Sequence, residues 1–214
     1  MRIRVLADDG TVATVAGNGI HAYSEVGAAA LDTPLENPID AAWGPDGRLY
    51  ILPQLEGRLI CIDEGVVARV AGTGALGDTG DGGPALSAEM GFGGGFAFGA
   101  DGSVFIADQS YNRVRRVRPD GVMETVLGTG EGGMGPAGHG PDMAVRGPER
   151  LLVDEAAGRL LVADGLNNRV LAVDLDTLQA TVLAGTGTVG DGGDGGPATD
   201  AQLDRPTGLA LTPS

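Results

Sequence analysis

Two glycine-rich segments carry pairs of aspartates at the same spacing. The first holds Asp78 and Asp81, and the second holds Asp191 and Asp194. Carboxylates in such turns suit Ca²⁺, which takes about six to eight oxygen ligands. The same aspartates could instead cap the helical turn that follows, or bond their own backbone. Because two carboxylates per segment are few, we predict no metal here and keep calcium as the alternative.

Residues that commonly act as nucleophiles or metal ligands are scarce. The chain has 2 histidines, His21 and His139, and 1 cysteine, Cys61. Zinc sites and Ser–His–Asp triads need histidines set against further ligands or acids, and both histidines stand alone in connecting segments. Cys61 lies in an apolar run and is expected to be a buried hydrophobe. All 14 basic residues are arginine, which excludes lysine-based chemistry.

A second pattern places an aspartate five residues before an arginine. It occurs in Asp108 and Arg113, and again in Asp164 and Arg169. Each aspartate ends one apolar run and each arginine begins the next, so a hairpin would bring the two side chains together. We predict an ion pair that fixes the hairpin in each repeat, with a contact to a ligand as the alternative.

Both patterns belong to an internal repeat. The arginines that open one apolar run are 56, 55 and 56 residues apart, and the glycines that close another are 55, 56 and 57 apart. These markers are Arg2, Arg58, Arg113 and Arg169, and Gly17, Gly72, Gly128 and Gly185. Two independent markers with one period indicate a repeat architecture.

Each period contains four strand-like runs, which we letter a to d. In the clearest repeat they cover residues 95–98, 103–108, 113–118 and 122–127, with Asp-Gly turns between a and b and between c and d. The 39 glycines argue against long helices. Four antiparallel strands per repeat without crossover helices predict an all-β fold, a β-propeller built of four-stranded blades.

The repeats resemble the NHL-repeat family of β-propellers, in its bacterial form. The matching segments are residues 80–85 (GDGGPA), 104–108 (VFIAD), 112–114 (NRV) and 206–210 (PTGLA). Two departures are visible: Pro53 replaces the aspartate that matches Asp108, and Gly94-Gly95 replaces a proline-glycine pair. The resemblance implies a platform that binds protein, peptide or carbohydrate, in a ring that usually has about six blades.

The repeat phase predicts one propeller array over residues 1–214. Three full blades cover residues 18–72, 73–128 and 129–185. The closing blade is split, with strands c and d in residues 1–17, and a loop and strand a in residues 186–214. It lacks strand b, so the array holds about four blade equivalents. We expect a piece of a larger propeller or a short array, able to form a homo-oligomer through the incomplete blade.

Strands a should converge on the central channel of such a ring. Charged and polar residues near their beginnings give a candidate ligand-binding site: Asp40, Glu149, Arg150 and Thr207. A solvent-lined channel without a ligand is the alternative. The aromatic residues of strands a, Trp43, Phe96 and Phe98, are predicted to pack between blades.

These observations favour a non-catalytic binding or scaffold module without a cofactor. The alternative is a metal-dependent lyase or a lactonase-like hydrolase at the channel, for which the strand-a positions offer few ligands. The net charge of −15 argues against nucleic acid and anionic membranes as partners. No apolar run is long enough to span a membrane and no signal peptide is visible, so the compartment is left open.

Overall fold

A computed structural model describes residues 1–212, and these residues form an all-β structure with 40% strand and 7% helix. The predicted all-β class is therefore confirmed. The strands are β1 (Ile3–Leu6), β2 (Val12–Ala16), β3 (Pro38–Trp43), β4 (Leu49–Pro53), β5 (Leu59–Asp63), β6 (Val66–Ala71), β7 (Gly93–Phe98), β8 (Val104–Asp108), β9 (Arg113–Val117), β10 (Met123–Leu127), β11 (Gly138–His139), β12 (Pro148–Asp154), β13 (Arg159–Asp164), β14 (Arg169–Asp174) and β15 (Gln179–Ala184). Three-residue 3₁₀ turns lie at Ala85–Ser87, Gly140–Asp142, Glu155–Ala157, Gly165–Asn167 and Ala198–Asp200.

The strands form antiparallel meanders in chain order. The sheets are β3-β4-β5-β6, β7-β8-β9-β10 and β12-β13-β14-β15, with β11 added to the outer edge of the last. Strands β1 and β2 make a separate two-stranded sheet. No helix within residues 1–212 is long and apolar enough to cross a membrane.

The a–b hairpins close on the predicted turns. In the second sheet Phe98 pairs with Val104, and Gly99 N–H donates to Ser103 O (2.9 Å). Gly102 has a φ of 87°, a left-handed conformation that glycine adopts without a steric penalty. Asp101 Oδ1 accepts from Ser103 N–H (2.9 Å), so the aspartate holds the turn that the sequence pattern indicated.

Apolar side chains pack between successive sheets. Phe96 and Phe98 lie against Tyr50 of the preceding sheet, with the rings of Tyr50 and Phe98 at 4.9 Å in an edge-on arrangement. Trp43, which we predicted to pack in the same way, is 59% exposed, so that prediction is wrong. The β1–β2 hairpin packs on the first sheet through Ile3 and Ala16, and these contacts leave Trp43 uncovered.

The two parts predicted to share the closing blade are not paired with each other. Residues 209–211, predicted as its strand a, have no strand conformation, since no strand b lies beside them within residues 1–212 to accept their backbone bonds. Residues 213 and 214, the end of the predicted segment 186–214, lie outside the described residues.

Candidate functional site

The beginnings of the strands a surround a cavity of about 320 Å³, which we call the strand-a cavity. Three of the four predicted site residues, Glu149, Arg150 and Thr207, line it, and the fourth, Asp40, is bonded to Arg150. Ile39, Gly93 and Gly94 contribute the beginnings of β3 and β7. The cavity therefore draws on consecutive repeats, as the repeat phase predicted for strands a.

Asp40 and Arg150 connect the first sheet to the third across the second. Arg150 Nη1 lies 2.7 Å from Asp40 Oδ2, and Arg150 Nη2 donates to Ile39 O (3.3 Å). Asp40 Oδ2 also accepts from Phe96 N–H of β7 (3.1 Å). A carboxylate that binds two neighbouring sheets fixes the guanidinium at one side of the cavity.

Glu149 and Arg205 form the second ion pair of the cavity. Arg205 Nε donates to Glu149 Oε1 (2.8 Å), and its backbone N–H donates to Asn168 Oδ1 (2.9 Å). The Arg205 side chain is 58% exposed and that of Glu149 is 12% exposed. The arginine therefore covers the carboxylate while it keeps donor groups in contact with solvent.

Sequence reasoning missed Gln54, Gln109 and Arg205, which also line the cavity. The repeat could have revealed the two glutamines as site residues, because Gln54 and Gln109 directly follow β4 and β8, at equivalent positions of two repeats. The Gly94-Gly95 pair, which replaces the proline-glycine pair of the family, also has a structural reason at this cavity. A Cβ on Gly94 would lie 2.5 Å from Pro148 O, so glycine permits the close approach of β7 and β12.

The cavity presents hydrogen-bond donors and acceptors rather than reactive groups. Both guanidinium groups are matched by carboxylates, and the glutamine amides can donate and accept. Within residues 1–212 no cluster of three or more His, Cys, Asp or Glu could hold a metal ion. The arrangement can orient a polar molecule, and it holds no side chain placed to act as an activated nucleophile.

Asp164 and Arg169 form a buried ion pair in the third sheet. Arg169 Nε donates to Asp164 Oδ2 (2.8 Å), and both side chains are almost fully inaccessible. The remaining donors of Arg169 bond Gly135 O (2.9 Å) and Ala144 O (3.2 Å) of the preceding loop. The pair thus fixes both the b–c hairpin and the loop.

Asp108 and Arg113, predicted to form the same pair, face each other in the β8–β9 ladder, but their side chains do not bond each other. Asp108 accepts from the backbone N–H groups of Gly91 (3.0 Å) and Tyr111 (3.3 Å). Arg113 Nη2 instead lies 3.3 Å from Asp78 Oδ2. Arg113 binds Asp78 rather than Asp108 because the loop that contains Asp78 packs beside β9 and brings a competing carboxylate within reach.

The first sheet preserves an ion pair with a different acid. Pro53 stands at the position of Asp108, and the fully buried Glu56 takes over, with its Oε2 2.7 Å from Arg58 Nε. Glu56 also accepts from the backbone N–H of Ser24 (2.8 Å). The sequence did not reveal this substitution, because Glu56 lies outside the five-residue spacing.

The aspartates of the first glycine-rich segment serve as acceptors for arginines. Asp81 Oδ1 accepts from Arg115 Nη2 (2.6 Å), and Asp78 pairs with Arg113. Asp191 and Asp194 of the second segment, for which calcium binding was the alternative prediction, are exposed.

The two histidines lie apart from the cavity and from each other. His21 Nε2 is 2.8 Å from Glu36 Oε1, and His139 Nδ1 is 3.2 Å from Asp142 Oδ2. Cys61 is buried, and desolvation raises the pKa of its thiol. A raised pKa disfavours the reactive thiolate, in keeping with a core residue.

Asp108 gives a prediction for pH dependence. Desolvation raises the pKa of its carboxyl from 3.8 to about 6, so the folded state holds the proton more tightly than the unfolded state. The resulting stability is fully present below about pH 4 and is lost as the pH rises through about 6. The Asp108→Asn variant should therefore gain roughly 2 kcal/mol relative to wild type between pH 4 and pH 7.

Denaturant unfolding of both proteins at the two pH values measures this gain. Asp191→Asn, which removes an exposed carboxylate, is the matched control and should track wild type. A difference between Asp108→Asn and wild type that does not change with pH would contradict the prediction.

A family model described as the Teneurin NHL domain matches residues 66–214. This range covers more than half of the chain and includes the second and third sheets. No curated protein sequence matches the chain.

Solved structures show the same fold at low sequence identity. An auxiliary nutrient binding protein from Bacteroides thetaiotaomicron has a TM-score of 0.65 at 15% identity, over 95% of this chain and 46% of its own. One from Bacteroides ovatus has a TM-score of 0.61 at 13% identity, over 97% and 53%. Virginiamycin B lyase from Staphylococcus aureus has a TM-score of 0.51 at 12% identity, over 85% and 47%. The chain thus spans about half the length of these proteins.

Proposed function

Because the chain belongs to the NHL-repeat family, in the form described as the teneurin NHL domain, we propose that it is a non-catalytic binding module. Its ligand would lie in the strand-a cavity. The observation that carries the proposal is the charge-matched lining of that cavity, in which Arg150 pairs with Asp40 and Arg205 pairs with Glu149.

The lining favours a neutral ligand rich in hydroxyl groups, such as a carbohydrate. A charged ligand would compete with an internal ion pair, whereas a hydroxyl group can donate to a carboxylate and accept from a guanidinium or amide. Gln109 fits this role best, because its side chain makes no hydrogen bond to the residues described in the structure. A peptide, whose backbone offers the same neutral donors and acceptors, is the other ligand class that the test separates.

The alternative of a metal-dependent lyase or lactonase-like hydrolase has less support from the lining. Catalytic metal sites commonly use about three protein ligands. The cavity lining contains one carboxylate, Glu149, which is already bonded to Arg205. The chain shares its fold with a lyase and with nutrient binding proteins, and fold alone does not determine function.

We also propose the finer arrangement of the array. Three complete meanders and the β1–β2 hairpin support about four blade equivalents. In this arrangement β1 and β2 are strands c and d of the closing blade, and residues 206–211 supply its strand a. The full ring would then be completed by further repeats or by a second copy.

Titration calorimetry with neutral oligosaccharides, and separately with uncharged peptides, tests the binding function. The Gln109→Ala variant should weaken saccharide binding about tenfold, because one hydrogen bond contributes roughly 1.4 kcal/mol. Gln179→Ala, an exposed glutamine on β15 outside the cavity, is the control and should bind as wild type does.

Saturable binding of peptides but not saccharides would overturn the proposed ligand class. Saccharide binding of equal strength in Gln109→Ala and wild type would overturn the proposed site. Turnover of a saccharide or lactone by the purified chain would replace the binding function with the enzymatic alternative.

A further inference from the structure

One residue stands directly before strand a in each repeat, and this position borders the strand-a cavity. By the repeat, these residues are Asn37, Phe92, Gly147 and Arg205. The carbonyl of Asn37 accepts from the backbone N–H of Gln54 (3.0 Å), and that of Phe92 accepts from Gln109 N–H (2.9 Å). Because both glutamines line the cavity, Asn37 and Phe92 lie at its edge.

At two of these positions the side chain binds a polar group of the cavity lining. Asn37 Nδ2 donates to Gln54 Oε1 (2.5 Å). Arg205 Nε donates to Glu149 Oε1 (2.8 Å). In each case the side chain that stands before strand a satisfies a lining residue, so that group of the lining is less available to a ligand.

The second repeat has an aromatic residue at this position instead. The phenyl ring of Phe92 has no hydrogen-bonding group, and the side-chain amide of Gln109 makes no hydrogen bond within residues 1–212. Phe92 is 37% exposed. The second repeat therefore combines a free amide in the cavity lining with an exposed aromatic residue beside it.

The backbone of Phe92 is fixed on both sides. Its N–H donates to Ser110 Oγ (2.9 Å), and its carbonyl accepts from Gln109 N–H (2.9 Å). The next residue, Gly93, donates its N–H to Gln54 O (3.2 Å). A ligand therefore meets a ring whose backbone is already ordered, which reduces the conformational entropy lost on binding.

The composition of the lining explains why an aromatic ring beside it matters. Hydrogen bonds to a neutral ligand replace bonds to water, so each adds little net affinity. Within residues 1–212, Ile39 is the only hydrocarbon side chain that lines the cavity, so further apolar contact has to come from beside it. The ring of Phe92 offers this surface next to the free amide of Gln109.

A sugar ring with equatorial hydroxyls matches this combination. Its hydroxyl groups lie around the edge of the ring, whereas its C–H groups point to the two faces. The negative π face of an aromatic ring attracts such C–H groups, and an amide can donate to and accept from hydroxyls. The cavity volume of about 320 Å³ lies at the lower end of the range for small-molecule sites, about 300–1,000 Å³.

We propose that Phe92 determines the ligand specificity of the strand-a cavity by stacking on the face of such a sugar ring, while Gln109 binds a hydroxyl at its edge. This inference rests on the proposed binding function, and it adds the residue that selects the ligand and the class of sugar that is selected. Asn37 and Arg205 do not take this role, because their side chains are bonded to other lining residues.

Titration calorimetry with cellotriose, a neutral saccharide whose ring hydroxyls are equatorial, tests the role of Phe92. Phe92→Ala should weaken binding roughly tenfold, because it removes the stacked ring. Phe92→Tyr keeps the ring and should bind within about threefold of wild type. Phe92→Leu keeps apolar surface without a π face, and its affinity should lie between those of Phe92→Ala and wild type.

Trp43→Ala removes an exposed aromatic residue at the far end of β3 and should bind cellotriose as wild type does. Circular dichroism verifies that each variant is folded. Cellotriose binding that Phe92→Ala or Phe92→Leu leaves unchanged overturns the role of Phe92 but not the binding function, which Gln109→Ala tests separately. Binding of other neutral oligosaccharides but not of cellotriose also overturns this inference alone. A chain that binds no neutral oligosaccharide overturns both.

Discussion

Replacing Arg115 by alanine is expected to lower the free energy of unfolding by about 3–5 kcal/mol, because it removes a buried side chain and leaves its carbonyl partners unpaired, at roughly 1–3 kcal/mol each. Arg115 Nε and Nη2 both donate to Asp81 Oδ1, at 3.0 and 2.6 Å. Its other donors bond the carbonyls of Glu89 (2.6 Å) and Thr79 (3.0 Å). The truncation removes every one of these bonds and leaves a cavity between the loop of residues 77–90 and β9.

Denaturant unfolding measures the loss, and two further variants make the result specific. Arg118→Ala removes an arginine whose partners, Asp120 and Glu124, are also solvent-accessible, so its loss of stability should be much smaller than that of Arg115→Ala. Arg115→Lys keeps the positive charge but not the planar guanidinium group. Its loss of stability should lie between those of the two alanine variants. Equal losses in Arg115→Ala and Arg118→Ala would show that Arg115 does not hold the loop.

Replacing Gly128 by alanine is expected to destabilise the fold by a comparable amount, about 2–5 kcal/mol. Gly128 has a φ of 99°, where a side chain costs roughly 1–2 kcal/mol. A Cβ there would also lie 2.2 Å from Asn112 O, and moving a backbone carbonyl adds about 1–3 kcal/mol. The strain falls on the β9–β10 pairing, because Asn112 leads into β9.

Gly121 provides the matched control at the other end of β10. Its φ is 81°, but a Cβ there would meet nothing within 4 Å. Gly121→Ala should therefore cost only the conformational term, roughly 1–2 kcal/mol. Thermal unfolding of the two variants separates the cost of the positive φ from the cost of the contact between the Cβ and Asn112 O. A Gly128→Ala variant as stable as Gly121→Ala would contradict the close approach of residues 112 and 128.

The sequence determined the strands of the three meanders and their order, because these depend on local chemistry. The turn at Asp101 and Gly102 is a signal within a few residues, and the structure has a hairpin where it predicts one. The repeat phase also brought Glu149, Arg150 and Thr207 to one cavity, because equivalent positions of strands a occupy equivalent places in each sheet.

Contacts between distant residues were decided only by the tertiary structure. The five-residue spacing predicted two equal ion pairs, yet Asp164 binds Arg169 while Asp108 binds backbone N–H groups. The acids that hold Arg113 and Arg115 are Asp78 and Asp81, which lie 35 and 34 residues away in the chain. A guanidinium binds whichever carboxylate the packed loops bring within reach, and no local pattern states which one that is.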